Sequence, residues 1–249
     1  MEVHHHAHSA RKKWTHYLWE FLMLFLAVFC GFLAENQREH IIEHQREKQF
    51  MRSMVEDLQN DTIELQKAIG KEKIIATYSD SVVILLRGYK PGDKLPFSFD
   101  NIFGKAGMQQ SIIHTDRTSS QLKNSGSMRM IRDKEVNEKI LAYWKQIEET
   151  NISRDRYMVY RNATRELGFG LFIIPEVDAV GTGSPADSLL SKMKELEVID
   201  NDPKKWSHLL NLAYMTGYIS RGIHLKNLQL QYKIAKELIL LIREKYRFK

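Results

Sequence analysis

The stretch YLWEFLMLFLAVFCGFLA, residues 17–34, is the most apolar part of the chain. From Phe21 onward it contains no polar side chain. A helix that rises about 1.5 Å per residue covers about 27 Å over this length, which is enough for a thin hydrocarbon core. Residues 14–34 are therefore predicted to form a transmembrane helix.

The start of this segment has two features of a membrane interface. A carboxylate at Glu20 would lie close enough to the interface to reach water or to take up a proton. Aromatic side chains at the same end resemble the aromatic belt of membrane helices. The residues assigned to the anchor are Trp14, Tyr17, Trp19, Glu20, Phe21, Phe25, Phe29 and Phe32.

Three other interpretations of the apolar segment are less favoured. A cleaved signal peptide would explain the basic residues 11–13, but no A-x-A-like site precedes a plausible mature start. A lipoprotein signal would acylate Cys30, yet Phe29 stands where a small residue is needed. A buried helix of a soluble fold would not be apolar all round beside a basic cluster.

The direction of insertion is predicted from the positive charges on the two sides. The basic block at residues 11–13 is compact, whereas Arg38, Arg46 and Lys48 are spread among acidic residues. This favours a cytoplasmic N-terminus. Residues 35–249 would then form a domain on the periplasmic or extracellular side.

Composition supports one sizeable folded domain without a disulfide. The 249 residues are 43% hydrophobic and 27% charged, and the net charge of +6 comes from interspersed residues. We find no basic stripe beside stacking aromatics, so nucleic acid is not an expected partner. The single cysteine, Cys30, lies in the apolar segment, so the domain has no internal disulfide.

The first thirteen residues are predicted to be a flexible His-rich tail. Four histidines, at positions 4, 5, 6 and 8, could bind a transition metal weakly as neutral imidazoles. Nothing nearby completes a defined coordination shell, so a disordered tail or an expression tag is the simpler reading. No metal or cofactor is expected.

The helix that begins in the apolar segment is predicted to continue well beyond it, since no Gly or Pro occurs between Ala34 and Gly70. Apolar residues with a spacing of 4, 3, 4, 3 and 4 form a heptad seam on one side of it. The partner of this seam could be another helix of the chain or a second copy. The seam consists of Met51, Val55, Leu58, Thr62, Leu65 and Ile69.

A loop and a short helix are predicted next. Helical character persists to Leu86, and residues 87–100 are predicted to be a loop because of their glycines and prolines, with further glycines as far as Gly107. The short helix should begin near Thr115 and stop near Gly126. The candidates for its N-cap are Thr118, Ser119 and Ser120.

Asp133 can cap a longer helix, and further helical sequence covers residues 152–166. The apolar residues of the helix capped by Asp133 recur with a period near 3.6, which predicts one buried face. That face is expected to contain Val136, Ile140, Tyr143 or Trp144, and Ile147.

The C-terminal part is predicted to hold an irregular segment, residues 168–185, and then two helices. The first covers residues 186–198, and the second is capped by Asp202, has Pro203 as its first residue and could run to Tyr246. The apolar stripe of the last helix comprises Leu209, Leu212, Met215 or Thr216, Ile219, Ile223, Leu230, Ile234, Leu238, Leu241 and Ile242.

Together these elements predict an all-α fold in which an N-terminal transmembrane helix continues into an elongated antiparallel helical bundle. The stretch SIIHTDRTSSQLKNSGSMRMIRDKEVNEKILAYWKQIE, residues 111–148, resembles the central motif of an uncharacterised family of Bacteroidetes, a domain of unknown function. The likeness extends over residues 14–148 and is weaker in the C-terminal helix. It implies an anchor in the bacterial inner membrane, a periplasmic domain and a helical fold, and no activity.

The residues that most resemble a catalytic cluster are Ser111, His114 and Asp116, whose types suit a nucleophile, a base and an orienting acid. Their spacing is local, and capping of a helix start explains them more simply. His40 and His44 lie four residues apart but would need a third ligand to hold a metal. The Gly-Thr-Gly at 181–183 lacks the rest of a phosphate loop.

Two further groups are candidates for binding. Basic residues around the LKNSG turn could contact an anion or an acidic partner, although solvated helix ends explain them too; they are Arg117, Lys123, Arg129 and Arg132. Aromatic residues could line a pocket, although a core explains them better; they are Tyr143, Trp144, Tyr157 and Tyr160.

The sequence thus predicts a non-enzymatic membrane protein that acts as an oligomeric scaffold or as an accessory subunit of an envelope complex. Its partners would be the lipid bilayer and either a second copy or another envelope protein. The alternative is a ligand-sensing periplasmic domain that signals through a partner protein, because the irregular apolar segment could belong to a binding region.

Overall fold

The computed structural model describes residues 14–109, 111–173 and 194–248. About four fifths of these residues are helical and only two short strands are present among them, which confirms the all-α prediction. The chain divides into two compact units, Met1–Phe50 and Met51–Lys249. The predicted His-rich tail at residues 1–13 lies outside the described residues.

The described helices are α1 (Trp14–Gly88), α2 (Ser98–Ala106), α3 (Arg117–Asn124), α4 (Lys134–Phe169), α5 (Pro203–Ile219) and α6 (Leu225–Tyr246). A 3-10 turn, Ser127–Met130, follows α3, and a π-helical turn, Ser220–His224, joins α5 to α6. Strands β1 (Leu95–Pro96) and β2 (Glu195–Leu196) pair antiparallel. In the second unit α4 packs against both α5 and α6.

Helix α1 begins in the first unit and ends in the second, which confirms the prediction of helix beyond Ala34. Within the second unit its apolar seam is buried: Met51, Leu58 and Leu65 are at most 1% exposed. Leu65 packs beside Ala68 of α1 and Leu228 of α6. The seam therefore packs inside the chain's own bundle and is not available to a second copy.

The remaining seam positions follow the same face. Val55 is buried, and Ile69 is partly buried against Leu65 and Leu228. Thr62 is partly buried as well. The spacing therefore located the buried side of α1 correctly over this stretch.

Two predicted helix starts are confirmed by their caps. The Asp133 side chain accepts a hydrogen bond of 3.0 Å from the backbone N–H of Val136 at the start of α4. The Asp202 side chain accepts one of 2.9 Å from Lys204 N–H, and Pro203 is the first residue of α5. In both cases the cap satisfies a backbone donor that has no partner within the helix.

The predicted loop at residues 87–100 is wrong at its end, because α2 begins at Ser98 and continues to Ala106. Phe99 and Phe103 of this helix are buried and stack with ring centroids 5.7 Å apart. Phe172 meets both rings edge-on. Burial of three aromatic rings outweighs the low helix propensity of Gly104. The sequence-based prediction gave that low propensity too much weight.

The helix predicted at residues 186–198 is wrong over residues 194–198, and its first eight positions lie outside the described residues. Glu195–Leu196 is a strand in which Leu196 stands opposite Leu95. Val198 forms an isolated antiparallel bridge with Phe172. Leu95, Leu196 and Phe172 belong to one buried cluster, so tertiary burial decides the conformation here.

The apolar stripe predicted for the last helix is correct in α5 and partly wrong in α6. The π-helical turn has a wider hydrogen-bonding pattern than an α-helix, so it shifts the phase of every residue that follows. Leu228 and Gln231 are buried, whereas the predicted Leu230 is 45% exposed. Most of the predicted positions from Leu230 to Ile242 are four residues apart, which exceeds the helical period of 3.6, so they drift around the helix until Leu238 and Ile242 lie on the buried side.

Candidate functional site

The first unit carries an exposed apolar helix segment. Every residue from 14 to 40 is exposed. An 18-residue window of α1 has a mean hydropathy of 2.0, and none of it is buried. Among the described residues, α1 is the one helix that is long and apolar enough to cross a membrane, and it lies near the N-terminus.

The predicted anchor residues lie in this segment. Phe21, Phe25 and Phe29 form a column along one side of α1, with successive ring centroids 6.2 and 5.9 Å apart. The carboxylate of Glu20 lies 3.2 Å from Nε2 of His16, one turn earlier. The charged group at the start of the apolar segment thus has a partner at the same end.

In the second unit, two aspartates of α1 bind the backbone at the start of α3. Asp57 Oδ2 accepts a 2.9 Å hydrogen bond from Thr118 N–H, and Asp61 Oδ1 accepts a 2.7 Å bond from Thr115 N–H. The residue at the N-cap position, Asp116, makes no capping hydrogen bond with its own side chain. Helix α3 is therefore capped by another helix.

The predicted N-caps of α3 are wrong because Thr118, Ser119 and Ser120 lie inside the helix. A local motif search looks for a cap within a few residues of the helix start. Here the capping carboxylates are 61 and 54 residues earlier in the chain.

The Asp61 carboxylate is 2% exposed and lies beside three polar groups. Besides Thr115 N–H, it accepts a 2.7 Å hydrogen bond from the Tyr143 hydroxyl, and Nδ1 of His114 lies 3.7 Å away. Burial alone would raise the pKa of Asp61, but the nearby His114 ring and the hydrogen bonds donated by Thr115 and Tyr143 lower it below its ordinary value. Burial and the adjacent carboxylate raise the pKa of Tyr143.

These residues form part of an open groove of about 160 Å³, which we call the acidic groove. Its walls come from α1, from residues 114–123 and from α4. Met54 and Leu58 contribute apolar surface. The groove is defined here by Asp57, Asp61, His114, Asp116, Lys123, Tyr143, Trp144 and Glu148.

The basic residues predicted to contact an anion or a partner have different surroundings. Arg117 reaches Asp57 Oδ1 at 2.9 Å and Glu56 at 3.4 Å. The Lys123 ammonium lies 4.3 Å from the centre of the Trp144 ring. Arg129, in the 3-10 turn, and Arg132, just after it, are exposed.

The cluster of Ser111, His114 and Asp116 shows a different pairing from that of a triad. His114 lies beside Asp61 and within 3.4 Å of the Gln231 amide. The Asp116 carboxylate accepts a 3.3 Å hydrogen bond from the Ser120 hydroxyl. Ser111 is exposed.

The histidine pair of α1 is divided between two acidic neighbours. His40 lies 4.0 Å from Glu43, and His44 lies 3.3 Å from Glu47. Within residues 14–109, 111–173 and 194–248, no three His, Cys, Asp or Glu side chains are grouped so that they could hold a metal ion.

A second polar cluster lies at the π-helical turn. The Ser220 hydroxyl donates a 2.6 Å hydrogen bond to Glu72, a carboxyl that is 1% exposed. Burial raises the pKa of Glu72 to about 7. His224, at the other end of the turn, is 2.9 Å from the Ser153 hydroxyl, and burial lowers its pKa to about 4.

The aromatic residues considered as a pocket lining are mostly core. Tyr143, Trp144 and Tyr157 are buried, and Tyr160 is partly buried. The Tyr157 hydroxyl donates to the backbone oxygens of Ala106 and Met108. Tyr143 and Trp144 also line the acidic groove, so they belong to the core and to the candidate site at once.

Sequence reasoning missed the buried acids of α1, although a signal for them existed. Continuing the seam Met51, Leu58, Leu65 by seven residues reaches Glu72. Asp61 lies three residues after Leu58 and is likewise on the buried side. A carboxylate at a seam position predicts a buried polar contact, because a buried charge needs a partner.

We expect Asp61→Asn to lower the free energy of unfolding by about 2 kcal/mol at pH 7, since hydrogen bonds to a charged group are worth about 1.5–3 kcal/mol. Because the folded-state pKa of Asp61 is lowered, its contribution is complete above the unfolded pKa and disappears as pH falls through the folded pKa. The difference between variant and parent should therefore shrink towards pH 3.

Thermal and denaturant unfolding of the full chain in a non-ionic detergent would measure this. Asp116→Asn is the matched control, because Asp116 is exposed and accepts one long hydrogen bond. The buried carboxylate would have no special role if both variants lost the same free energy of unfolding, or if the loss in Asp61→Asn did not change with pH.

Comparison with protein-family models, with curated proteins and with solved structures finds no match for this chain.

Proposed function

We propose that this chain is a non-enzymatic single-pass membrane protein whose helical domain acts as an oligomeric scaffold or accessory subunit of an envelope complex. The observation that carries the proposal is the exposed apolar window of α1 with its mean hydropathy of 2.0. Large exposed apolar patches on folded proteins usually meet a membrane or a partner. A helix in lipid also satisfies its own backbone hydrogen bonds.

The proposed orientation has a cytoplasmic N-terminus and a periplasmic domain at the bacterial inner membrane. The compact basic block at residues 11–13 supports it through the positive-inside tendency. The resemblance of residues 111–148 to an uncharacterised family of Bacteroidetes belongs to the same proposal.

Cysteine labelling tests this orientation. In a Cys30→Ser background, which has no other cysteine, Ser9→Cys and Ser111→Cys would each carry one thiol. With the outer membrane permeabilised, a membrane-impermeant maleimide should label Ser111→Cys in intact cells and Ser9→Cys after lysis. The reverse pattern would contradict the orientation, and labelling of both positions in intact cells would contradict a spanning helix.

The scaffold role is supported by an apolar face on α4. Leu141, Ile152 and Val159 are each at least half exposed. They are separated by 11 and 7 residues, about three and two helical turns, so they share one side of the helix. Because the α1 seam is buried within the bundle, this face of α4 is the better surface for a second copy or another envelope protein.

Photocrosslinking in native membranes tests the scaffold role. A benzophenone amino acid at Ile152 should give a covalent product with a second copy or with a defined envelope protein. The same probe at Lys94, an exposed position before β1, serves as the control. Equal crosslinking at both positions, or monomers at both, would count against an assembly through α4.

The acidic groove supports the alternative function, a ligand-sensing periplasmic domain that signals through a partner protein. A groove of about 160 Å³ bounded by charged and aromatic residues offers room and recognition groups for a small molecule. A thermal-shift screen of envelope metabolites against the full chain would distinguish the two functions, because a pure scaffold should show no selective stabilisation.

A further inference from the structure

The acidic groove combines a buried floor with charged residues at its mouth. Tyr143 and Trp144 of α4 are buried and form part of the lining. Asp116, Lys123 and Glu148 line it as exposed residues. At about 30 Å³ per liquid water, the 160 Å³ correspond to roughly five waters, so the space is large enough for a small organic molecule.

The charge of the lining is negative. Four carboxylates line the groove, those of Asp57, Asp61, Asp116 and Glu148. Arg117 pairs with Asp57, and Lys123 is the one lysine or arginine in the lining, so these two are counted against the carboxylates and His114 is counted as uncharged. Two negative charges are therefore left, which attract a cation and repel an anion.

An aromatic face within the groove already holds a positive charge. The Lys123 ammonium lies 4.3 Å from the centre of the Trp144 ring, within the range of a cation–π interaction. Lys123 is exposed, so its side chain can leave the ring without unfolding the site. Trp144 is buried and held in place by the core.

We propose that the acidic groove binds a small organic cation, whose ammonium or quaternary ammonium group replaces the Lys123 ammonium on the Trp144 face. The carboxylates of Asp116 and Glu148 at the mouth supply electrostatic attraction. A metal ion suits the site less well, because the described residues contain no group of three His, Cys, Asp or Glu side chains able to hold one. This proposal does not depend on the membrane anchor or on the scaffold role.

Choline is the probe, and 3,3-dimethyl-1-butanol is its uncharged analogue of nearly the same shape. Isothermal titration calorimetry of the full chain in dodecyl maltoside, at constant ionic strength, should show choline binding at least about fivefold tighter than the analogue. Equal affinity for both would overturn the proposal, as would the absence of choline binding at millimolar concentrations.

Three exposed positions give variants with opposite expected effects. Glu148→Gln should weaken choline binding about threefold, since an exposed ion pair is worth up to about 1 kcal/mol. Lys123→Gln should tighten it by a similar factor, because the competing ammonium is removed. Glu149→Gln, with the same charge change at the next residue outside the groove, should leave the affinity unchanged.

The sign of the Lys123 effect is the sharpest criterion. If Lys123 only stabilised the fold or bound an anion, its loss would weaken ligand binding or leave it unchanged, and either result would overturn the proposal. Equal effects of Glu148→Gln and Glu149→Gln would also overturn it. Circular dichroism of each variant should match the parent, because all three side chains are exposed.

Discussion

At pH 8 the Glu72→Gln variant is expected to be more stable than the parent by about 3 kcal/mol, whereas at pH 4 the two should be equally stable. Glu72 is 1% exposed, and burial raises its pKa from 4.5 to about 7. Between these values the unfolded chain loses a proton that the folded chain keeps. The parent's free energy of unfolding therefore falls as pH rises through this window and levels off above it.

Glutamine has nearly the same shape, is neutral at every pH and can still accept the hydrogen bond from Ser220. The variant should therefore lack the decline between pH 4.5 and 7. Thermal unfolding across this range would measure it, with Glu64→Gln, a half-exposed acid of the same helix, as the control. A destabilised Glu72→Gln at pH 8, or the same stabilisation at pH 4, would refute the assignment of a buried, costly carboxylate.

The combined change Leu26→Asp and Phe29→Asp is expected to remove the protein from the membrane fraction. Residues 17–34 contain ten Leu, Phe and Val residues. At about −0.5 kcal/mol each they favour insertion by roughly 5 kcal/mol. Each central Asp costs about 2.5–3.5 kcal/mol and also removes one apolar contribution, so two of them exceed the whole driving force.

Carbonate extraction and flotation of membranes would measure this change. The matched control carries Ile41→Asp and Ile63→Asp, which alter two exposed apolar residues of α1 outside the apolar segment. The control should remain in the membrane fraction. If both double variants fractionate with the membrane, α1 is not the anchor; if both leave it, the effect reflects general misfolding.

Local sequence signals predicted those helices whose ends are determined by neighbouring residues. Asp133 and Asp202 cap helices through donors two or three residues away, so a short motif is sufficient. Helix α2 could not be predicted in this way, because its conformation depends on Phe172, about seventy residues later in the chain. The pairing of Leu95 with Leu196 depends on a partner that is more distant still, about a hundred residues later.

The candidate site shows the same division between local and distant information. Either Tyr143 or Trp144 was expected on the buried face of their helix, and both are buried. The groove that they line also needs Asp57 and Asp61 from α1, and neither stood out in a polar helical stretch. A periodic pattern predicts which face of a helix is buried, but the groups that meet there depend on which elements are neighbours.

The capping of α3 by α1 has a consequence for the order of folding. A helix of eight residues is too short to be stable alone in water, and α3 obtains its capping acceptors from Asp57 and Asp61. Its formation is therefore coupled to the docking of α1. Both events should occur in one cooperative step, and in that step the Thr118 amide should become protected from solvent exchange. A chain synthesised from its N-terminus has both acceptors in place before α3 emerges from the ribosome.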